Sequence, residues 1–518
     1  MNRHQPDILL IVLDTLRRDR LSVYNPALRT SPHLHAFAEG AACFERAISP
    51  AQWTIPAHAS LFTGVYPTTH QVTQADGMLS GSYATLAEIL QAGGYHTAGF
   101  CNNPLVGVLQ NDLQRGFVDF YNYAGAAVNR PLTRRRNGVQ RRLSAGWARF
   151  ARTVSNRFAH SDRLFQTALH PLLTPVWTRF VNYKGHTRHS IDDLMAYWDQ
   201  RTRADNHDRP PLFAFLNLMG AHLPYRPPAD ALRRIDPEIS RDRAAQRFMR
   251  QFNADAARWA SPDEPPLADW QRHIVETYYD AEIAAQDEHL GRLLRHLEHT
   301  GALDNTLVLV LADHGEGHGD HGFFGHSFVV YQELVHVPLM IHDPRQPGAQ
   351  RIADSTSTRR IFHTVLDAAG LTPPLDEADP NADVRGLSLL PSSRNGHSAE
   401  PDLAFAEAVP PHTFLRLIRS RQPQLIEQLR LDQTRRAVYR GAQKLATVGD
   451  SVEALFDVQT DPQETQNLAG ERADLSGDLQ RELDAFVLAA EYYRMDGPAY
   501  HTVSDGVVAN LRALGYFE

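Results

Sequence analysis

The sequence predicts an α/β fold in which a mainly parallel central sheet is sandwiched by helices, with a small C-terminal antiparallel sheet and helix beside it. Three largely apolar runs, at residues 7–13, 212–217 and 307–312, have the composition of strands that are buried on both faces. Strand-like and helix-like segments also alternate over residues 1–123. Such alternation is typical of parallel sheets, because parallel strands need a long crossover connection, which is usually a helix.

Local signals place further elements between these strands. The sequence predicts a helix at residues 83–92 and a strand at 96–101, separated by a glycine pair that favours a turn. A long amphipathic helix is predicted over residues 270–300, and another strand over 338–342. These segments supply the helices and additional strands of a layered α/β domain.

The C-terminal part of the chain has a different pattern. A stretch rich in Pro, Asp and Ser at residues 371–401 is predicted to be a linker. Beyond it, short apolar runs at 414–419, 437–440 and 444–448 predict strands, and residues 474–493 predict a helix. Together they indicate a small antiparallel sheet with one helix packed against it.

The length of the chain indicates more than one structural unit. The chain has 518 residues, whereas single hydrophobic cores stop growing at about 250 to 300 residues. We predict a catalytic domain at residues 1–375, with a helical, arginine-rich insertion at 124–210, and a C-terminal subdomain at 400–518.

Composition is that of a globular protein that does not bind nucleic acid. Hydrophobic residues make up 42% and charged residues 22% of the chain, which is enough for a large core. The formal net charge of -8 argues against a nucleic-acid partner. Cys43 and Cys101 are too few for a disulfide framework. Because residues 1–6 contain no apolar signal region and no run of 18 apolar residues occurs, we expect a cytoplasmic protein.

The segment from Thr54 to Gly64 predicts an anion-binding helix start. Pro56 suits a first helical turn, so a short helix is predicted over residues 56–62 with Thr54 at its mouth. Free amides and the positive end of the helix dipole would face a phosphate or sulfate oxygen beside the Thr54 hydroxyl. A threonine hydroxyl is a weak nucleophile at neutral pH, so this interpretation requires a metal or a base that activates it.

Candidate metal ligands follow two of the buried strands. Asp14 comes directly after the run at residues 7–13, and Asp313 and His314 come after the run at 307–312. Because ligands bind beyond the carboxyl ends of parallel strands, we expect these side chains to meet Thr54 there. Three oxygens and one nitrogen suit one Mn²⁺ or Zn²⁺ better than Ca²⁺, which prefers six or more oxygens and is the third candidate.

Five stretches of the chain together carry a family resemblance. They are residues 6–19, residues 54–64 with Tyr66, Pro67 and His70, residues 221–225, residues 313–326 and residues 454–468. These stretches resemble the sulfatase branch of the alkaline-phosphatase superfamily and occur in the order in which that family has them, and the last one is similar to its C-terminal signature. The resemblance implies an alkaline-phosphatase-like fold and a metal-dependent hydrolase acting on a small anionic ester.

The chain departs from the family at four positions. Sulfatases have a Cys or Ser that is oxidised to formylglycine where this chain has Thr54, and an Arg where it has His58. A threonine nucleophile is similar to that of nucleotide pyrophosphatase-type phosphodiesterases and phosphoethanolamine transferases. Thr15 stands where sulfatases have a second Asp, and Leu218 where two-metal phosphodiesterases have one. The resemblance therefore implies a site with one metal ion.

The resemblance also implies roles for individual side chains. Thr54 would attack phosphorus or sulfur, while His222 and His326, which match oxyanion-binding positions, would stabilise charge or protonate the leaving group. His58 would orient Thr54. His318 and His321 lie in the same glycine-rich stretch and are weaker candidates. Simpler interpretations are that Asp14 and Thr54 only cap helices and that the histidines are structural.

Three functions follow in order of preference. The first is a hydrolase of phospho-esters or related phosphonate and sulfate esters, which works through a covalent intermediate on Thr54. The second is a true sulfatase without formylglycine, and the third is a transferase that passes a phospho-alcohol group to an acceptor. A binding protein with a decayed site is disfavoured because Asp14, Thr54, Asp313 and His314 are all retained.

A basic segment lies outside this scheme. No acidic residue occurs between Phe120 and Ser161, and nine arginines lie between Arg130 and Arg157. Apolar residues recur there at spacings of three and four, which predicts a basic amphipathic helix. Such a helix either contacts a membrane surface or polyanion, or packs over the catalytic face as a lid, which is the favoured interpretation.

Overall fold

The computed structural model describes residues 5–109, 111–124, 128–131, 184–203, 209–254, 266–346, 348–390, 398–497 and 499–500. The described strands are numbered along the chain from β1 to β17. They are Asp7–Leu13, Ala42–Ile48, Gly77–Met78, His96–Cys101, Asp119–Asn122, Leu212–Leu218, Thr306–Leu311, Gly317–His318, Phe324–Gly325, His336–Val337, Leu339–His342, Gln350–Ser357, Leu403–Ala408, Arg435–Arg440, Gln443–Val448, Ser451–Asp457 and Ala499–Tyr500.

The α-helices of the described segments are numbered in the same way from α1 to α16. They are Pro32–Ala38, Thr54–Thr63, Pro67–His70, Leu86–Ala92, Pro104–Gly107, Thr187–Arg203, Ala229–Ile235, Pro237–Arg241, Arg243–Ala254, Asp269–His299, Gln332–Val335, Ile361–Ala369, Val384–Leu387, His412–Arg421, Gln424–Gln428 and Ala473–Tyr492. Among these described helices, none combines the length and the hydropathy that crossing a membrane requires.

Thirteen of the described strands form one sheet, which confirms the predicted α/β class. Its order is β16-β15-β14-β13-β12-β2-β11-β7-β1-β6-β4-β5, with β10 paired to β2. In its middle, β1 is parallel to both β6 and β7, so that Ile8 lies opposite Phe213 on one side and Leu307 on the other. Ile8 to Leu13 are completely buried, which explains the lack of polar alternation in this strand.

Two predicted strands differ from the structure. Residues 338–342 do form a strand, but β11 runs antiparallel to both β7 and β2. The strand predicted at 414–419 is wrong, because these residues lie in helix α14. Leu415 and Ile418, three residues apart, face the core together, and a short apolar run does not distinguish this spacing from that of a strand.

The C-terminal strands are antiparallel, as predicted, and they extend the central sheet. β14 pairs with β13 and β15, and β16 pairs with β15. β13 joins this set to the rest of the sheet through the parallel pair of Thr356 in β12 and Leu403. Helix α16 packs on this end of the sheet, where Leu479 and Leu483 share an apolar cluster with Phe405.

Most of the arginine-rich segment lies outside the described residues. Within the described part, Arg130 forms a two-pronged ion pair with Asp193 of α6, with N–O distances of 2.7 and 2.8 Å. The choice between a lid and a membrane-binding or polyanion-binding helix therefore stays a prediction.

A largely buried polar cluster attaches the segment after β8 to strand β15 and to the loop after β16. We call this cluster the clasp; it contains His321, Tyr331, Glu333, Lys444 and Glu464. Lys444 is completely buried, donates to the backbone oxygen of residue 330 at 2.6 Å and pairs with Glu464. His321 stacks on Tyr331 with ring centroids 3.8 Å apart. Its Nδ1 faces Glu333 at 2.9 Å.

The geometry of the clasp requires a protonated His321. Its Nε2 lies 3.0 Å from the backbone oxygen of Gln463, so both ring nitrogens face acceptors and both must carry hydrogen. Burial lowers the pKa of His321, but its hydrogen bond to Glu333 and the charges of Glu333 and Glu464 together raise that pKa above its ordinary 6.5. Lys444 is the other positively charged group of the clasp, and it forms an ion pair with Glu464.

The clasp predicts a stability difference that depends on pH. His321→Phe keeps the stacked ring and removes both hydrogen bonds, so we expect a loss of roughly 1.5 to 3 kcal/mol at pH 6. Because the pKa in the folded state is raised, this stabilisation is complete below pH 6.5 and is lost as the pH rises through the folded-state value. The Tm difference between wild type and variant, measured from pH 6 to 9, should therefore shrink at high pH. The exposed His412→Phe is the control, and an equal difference at all pH values would contradict the interpretation.

Candidate active site

Four neighbouring strands deliver polar side chains to one edge of the central sheet. Asp14 follows β1 directly, and Asn217 is the penultimate residue of β6. Asp313 and His314 follow β7, and Asn103 follows β4. Because β4, β6, β1 and β7 are parallel neighbours, their carboxyl ends meet at the same edge. The structure therefore brings together Asp14, Asp313 and His314, as the sequence predicts.

Thr54 reaches this edge through β2 and the helix that follows it. β2 and β7 are both antiparallel to β11, so they point in the same direction. After β2, the hydroxyl of Ser49 donates to the backbone oxygen of Asp313, which joins the two segments. Helix α2 begins at Thr54, two residues earlier than predicted. The Oγ1 atom of Thr54, which is completely buried, lies 3.3 Å from Nε2 of His314.

Asp14 and Asp313 form a pair of buried carboxyl groups. Asp14 Oδ2 accepts from Nδ2 of Asn103, and Asp313 Oδ1 accepts from the backbone N–H groups of His314 and Thr15 at 2.9 and 3.3 Å. Within the described residues, Asp14 Oδ1 and Asp313 Oδ2 have no hydrogen-bond partner. Burial raises the pKa of Asp14 to about 6. Burial and the charge of Asp14 raise the pKa of Asp313 well above its ordinary value.

His314 presents one nitrogen to Thr54. Its Nδ1 donates to the backbone oxygen of Gly315 at 2.9 Å, so in the neutral ring the lone pair is on Nε2. Burial, followed by the charge of His326, lowers the pKa of His314 well below its ordinary value, which keeps the ring neutral. A neutral imidazole held by a hydrogen bond at its other nitrogen is the usual form of a metal-binding histidine.

A divalent cation fits this set of side chains. The ligand atoms of Asp14, Asp313 and His314 all lie within 4.8 Å of one another. The two carboxylate oxygens without partners need a positive charge, because isolated buried carboxylates are strongly destabilising. Thr54 Oγ1, 3.3 Å from His314 Nε2, could supply a fourth ligand atom, and three oxygens with one nitrogen would be a mixed set that suits Zn²⁺ or Mn²⁺.

His58 contacts the backbone of Thr54 rather than its hydroxyl. It lies one helical turn further along α2, where its Nδ1 donates to the backbone oxygen of Thr54 at 2.9 Å. The same nitrogen is 3.5 Å from Asp313 Oδ2, but its hydrogen is already used. Its Nε2 lies 3.4 Å from the amide nitrogen of Asn217. Burial lowers the pKa of His58 to about 4, so this ring is neutral and supports the first turn of the helix.

His222 and His326 lie close together beside His314. The ring of His326 is 4.5 Å from that of His314 and 5.4 Å from that of His222, measured between centroids. His222 donates from Nδ1 to the backbone oxygen of Leu223 at 2.6 Å, and burial lowers its pKa well below the ordinary value. His326 Nδ1 lies 2.8 Å from the completely buried Glu316. Burial lowers the pKa of His326, but the charge and hydrogen bond of Glu316 outweigh it and raise that pKa.

Asn103 is a site residue that the sequence analysis missed. Its amide nitrogen donates to Asp14 and lies 3.4 Å from Thr54 Oγ1. Its amide oxygen accepts from the backbone N–H of Leu105 at 2.8 Å and caps the short helix α5. The available signal was an Asn-Pro pair two residues after the buried strand β4, a pattern that marks a helix start at the carboxyl end of a strand.

The two weaker histidine candidates lie away from Thr54. His318 is buried, and its Nε2 lies 3.0 Å from the hydroxyl of Tyr225. His321 belongs to the clasp and faces the C-terminal strands. The loop turns at Gly319 and Gly322, whose positive φ angles of 85° and 79° suit glycine, and these turns carry His321 outward.

A family model described as Sulfatase matches residues 6–371. The choline-sulfatase of Rhizobium meliloti is 26% identical over 90% of this chain and 83% of its own length. An N-acetylglucosamine-6-O-sulfatase of Bacteroides thetaiotaomicron is 35% identical over only 25% of this chain and 22% of its own length. The crystal structure of the phosphonate monoester hydrolase of Agrobacterium radiobacter superposes with a TM-score of 0.61 at 20% identity, over 96% of this chain and 99% of that one, and so shares the fold.

Removing a ligand of the cation should remove the cation. In Asp14→Asn, Asp313→Asn and His314→Ala we expect affinity for the metal to fall roughly tenfold or more, because each deletes one of few buried ligands. Elemental analysis of the purified variants after dialysis measures this loss. Asp287→Asn is the matched control, since Asp287 is a buried carboxylate that accepts from backbone N–H groups elsewhere. Full metal content in all three site variants would refute the assignment.

Asn103→Asp should separate the capping role of this residue from its role as a donor. The new carboxylate keeps the oxygen that accepts from Leu105, but it cannot donate to Thr54 or Asp14. We expect kcat to fall by roughly 10²- to 10³-fold, as for other single donors in preorganised sites. Asn111→Asp, a change of a buried amide that donates to the backbone of Leu105, should keep its activity per folded molecule. Comparable kcat values for the two variants would argue against the role of Asn103.

Proposed function

The chain belongs to the sulfatase family and is a hydrolase that acts on ester bonds, and we propose that it uses Thr54 to cleave phospho-esters or the related phosphonate and sulfate esters. The observation that carries the proposal is the position of the Thr54 hydroxyl. It is completely buried beside Nε2 of His314 and the unpaired oxygens of Asp14 and Asp313, at the first turn of α2. Backbone N–H groups at that turn support binding of an anionic ester.

A threonine nucleophile differs chemically from formylglycine. The β-carbon of Thr54 carries a methyl group, so its oxidation cannot produce the aldehyde that formylglycine contains. The hydroxyl itself must therefore attack the substrate, and it needs activation. We propose that Asp14, Asp313, His314 and Thr54 hold one divalent cation, with Zn²⁺ or Mn²⁺ favoured over Ca²⁺. When bound, the cation supplies positive charge that lowers the pKa of the hydroxyl and neutralises the anionic ester.

His326 and His222, the two histidines beside His314, each carry out one of the proton transfers. His326 is held at Nδ1 by Glu316, and the resulting raised pKa keeps it protonated, so its Nε2–H is the general acid. His222 donates from Nδ1 to a backbone oxygen and burial lowers its pKa, so in this proposal its neutral ring accepts a proton at Nε2. Environments that move two pKa values apart are typical of acid and base partners.

These roles give a balanced two-step reaction. Thr54 enters the cycle deprotonated, its hydroxyl proton having passed to water. In the first step, Thr54 Oγ1 forms a bond to phosphorus, the bond to the leaving alcohol breaks, and His326 gives that oxygen a proton. In the second step, water attacks the same phosphorus, His222 takes a proton from it, and the bond to Thr54 breaks, which leaves Thr54 deprotonated again. Proton transfer from His222 to His326, whose rings are neighbours, then restores both histidines. Asn103 lies within reach of Thr54 Oγ1 and would donate to this oxygen when it is negatively charged. An acceptor alcohol in place of water would make the enzyme a transferase.

A true sulfatase is the second candidate, and the family match supports it. The two functions differ in how the intermediate breaks down. Formylglycine hydrate can expel sulfate by returning to the aldehyde, whereas a threonyl ester has no second hydroxyl on that carbon. Water must therefore attack the central atom, which phosphorus accepts readily when positive groups balance the charge. A threonyl sulfate would persist.

Substrate kinetics therefore test the proposal. We expect repeated turnover of aryl phosphate diesters or phosphonate monoesters, and at most one burst of product per active site with an aryl sulfate. Thr54→Ala should abolish both reactions, whereas Thr54→Ser, which keeps a hydroxyl, should retain turnover. Mass spectrometry should locate a trapped adduct in the peptide that contains Thr54. Steady turnover of an aryl sulfate, faster than every phosphorus ester tested, would move the true-sulfatase function to first place.

A further inference from the structure

The segment after β6, which carries His222, is held against helix α10. Glu282 and Gln286 lie one helical turn apart on α10, so their side chains share a face of that helix. The side-chain oxygen of Gln286 accepts from the backbone N–H of Gly220 at 2.7 Å, and that of Glu282 accepts from the backbone N–H of Arg226 at 2.6 Å. These two contacts hold the chain before and after His222.

Lys184 holds the stretch between these two contacts. Its ammonium group has three hydrogens, and it donates to three acceptors: the backbone oxygens of His222 and Pro224 at 2.8 and 3.1 Å, and Oε1 of Glu282 at 2.8 Å. The side chains of Lys184 and Glu282 are only 16% and 8% exposed, so the ion pair is largely shielded from water. Hydrogen bonds are stronger in such an environment than in water, which fixes the ammonium group in one position.

The main chain of Lys184 is also held in place. Its backbone oxygen accepts from the side-chain amide of Asn102 at 3.2 Å. The next residue, Gly185, has a positive φ of 62°, and a Cβ atom there would lie 3.0 Å from the side chain of Asn102, so glycine permits this close approach. Asn102 directly precedes Asn103, the donor in the candidate active site. Lys184 therefore connects the end of β4 to the segment after β6.

The contacts of Lys184 bear on the orientation of the His222 ring. That ring is held by the hydrogen bond from its Nδ1 to the backbone oxygen of Leu223 at 2.6 Å. Along the chain, the carbonyl group of Leu223 lies between those of His222 and Pro224, which are the two that Lys184 holds. Turning the carbonyl group of Leu223 away from the ring would therefore strain the contacts to Lys184. The ammonium group thus stabilises the acceptor that orients the ring.

We propose that Lys184 is a positioning residue for His222, because its ammonium group fixes the backbone that orients the ring toward the water of the second step. The inference rests on the proposed function, in which His222 accepts a proton from that water. Lys184 acts through His222 and is not itself a catalytic residue. The first step uses Thr54 and His326 instead. Loss of Lys184 should therefore slow the breakdown of the covalent intermediate more than its formation.

The kinetics of Lys184→Met test this assignment with whichever aryl ester the enzyme turns over repeatedly. Met has a similar length and lacks the ammonium group. We expect kcat to fall by about ten- to a hundredfold, which is part of what a general base contributes. The ratio kcat/KM reports only the steps up to release of the phenol and should change by less than about threefold, so KM falls together with kcat. Rapid mixing should show a burst of phenol close to one per active site.

Two further variants separate positioning from general damage. Lys184→Arg keeps a positive group beside Glu282 and should regain part of kcat, although a planar guanidinium group directs its hydrogens differently. Arg209→Met is the matched control, because Arg209 also pairs with a buried carboxylate, that of Asp7 at 2.9 Å. Asp7 begins β1 and so lies at the opposite edge of the sheet from the site. This control should keep both constants per folded molecule.

The outcome that overturns the proposal is an equal loss of kcat and kcat/KM in Lys184→Met, or a kcat equal to that of the wild type. Lys184→Met leaves the carboxylate of Glu282 without its cation, which destabilises a folded protein. If this variant does not fold, the double variant with Glu282→Gln takes its place. The amide is neutral, and the same difference between kcat and kcat/KM is expected.

A structural measurement distinguishes this proposal from the proposed function. In the crystal structure of Lys184→Met we expect the ring of His222 to leave the backbone oxygen of Leu223 or to occupy more than one orientation, and this requires no turnover. If the ring moves but no ester forms an adduct on Thr54 in the wild type, only the proposed function fails. If the adduct forms and the ring keeps its contact to Leu223 in the variant, the proposed function stands and the role of Lys184 is refuted.

Discussion

The repulsion between two buried carboxyl groups is the constraint on which the site depends. Asp14 and Asp313 come from opposite ends of the catalytic region, yet the parallel pairing of β1 with β7 places them side by side. The protein supplies one amide and two backbone N–H groups to them and leaves one oxygen of each without a partner. Such a pair is unfavourable in a dry interior unless a cation neutralises it or protons do. The neighbouring elements are arranged around this requirement.

The histidines near the site share one mode of attachment. His314, His222 and His326 are each held at Nδ1, the first two by backbone oxygens and the third by Glu316. In all three, the contact at Nδ1 orients the ring, and Nε2 is the nitrogen to which we assign chemistry. Because the partner at Nδ1 differs, the direction of the pKa shift differs too: the pKa values of His314 and His222 are lowered and that of His326 is raised. Similar rings therefore suit the different tasks that we propose for them.

From the sequence, the positions of residues at the ends of strongly patterned strands could be predicted. The positions of residues that depend on tertiary contacts could not. Asp14 and Asp313 follow long apolar runs, and the rule for parallel sheets places such residues together whatever the remainder of the chain does. β13 was missed because its alanine-rich sequence has low strand propensity, and its partner β14 determines its conformation. His321 lies away from the site because the chain turns at Gly319 and Gly322. Glu316 contacts His326 because the loop between them folds back on itself.

The clasp joins parts of the chain that are synthesised at different times. The segment that follows His326 is attached to Lys444, which donates to the backbone oxygen of residue 330 and lies over the ring of Tyr331. The ribosome adds Lys444 more than a hundred residues after Tyr331. Thr54 and Asp14, in contrast, are among the first parts of the chain to be synthesised. Thr54 is therefore synthesised well before the residues that fix the segment after His326. A chain that is terminated before Lys444 would contain Thr54, the nucleophile that we propose, without these contacts.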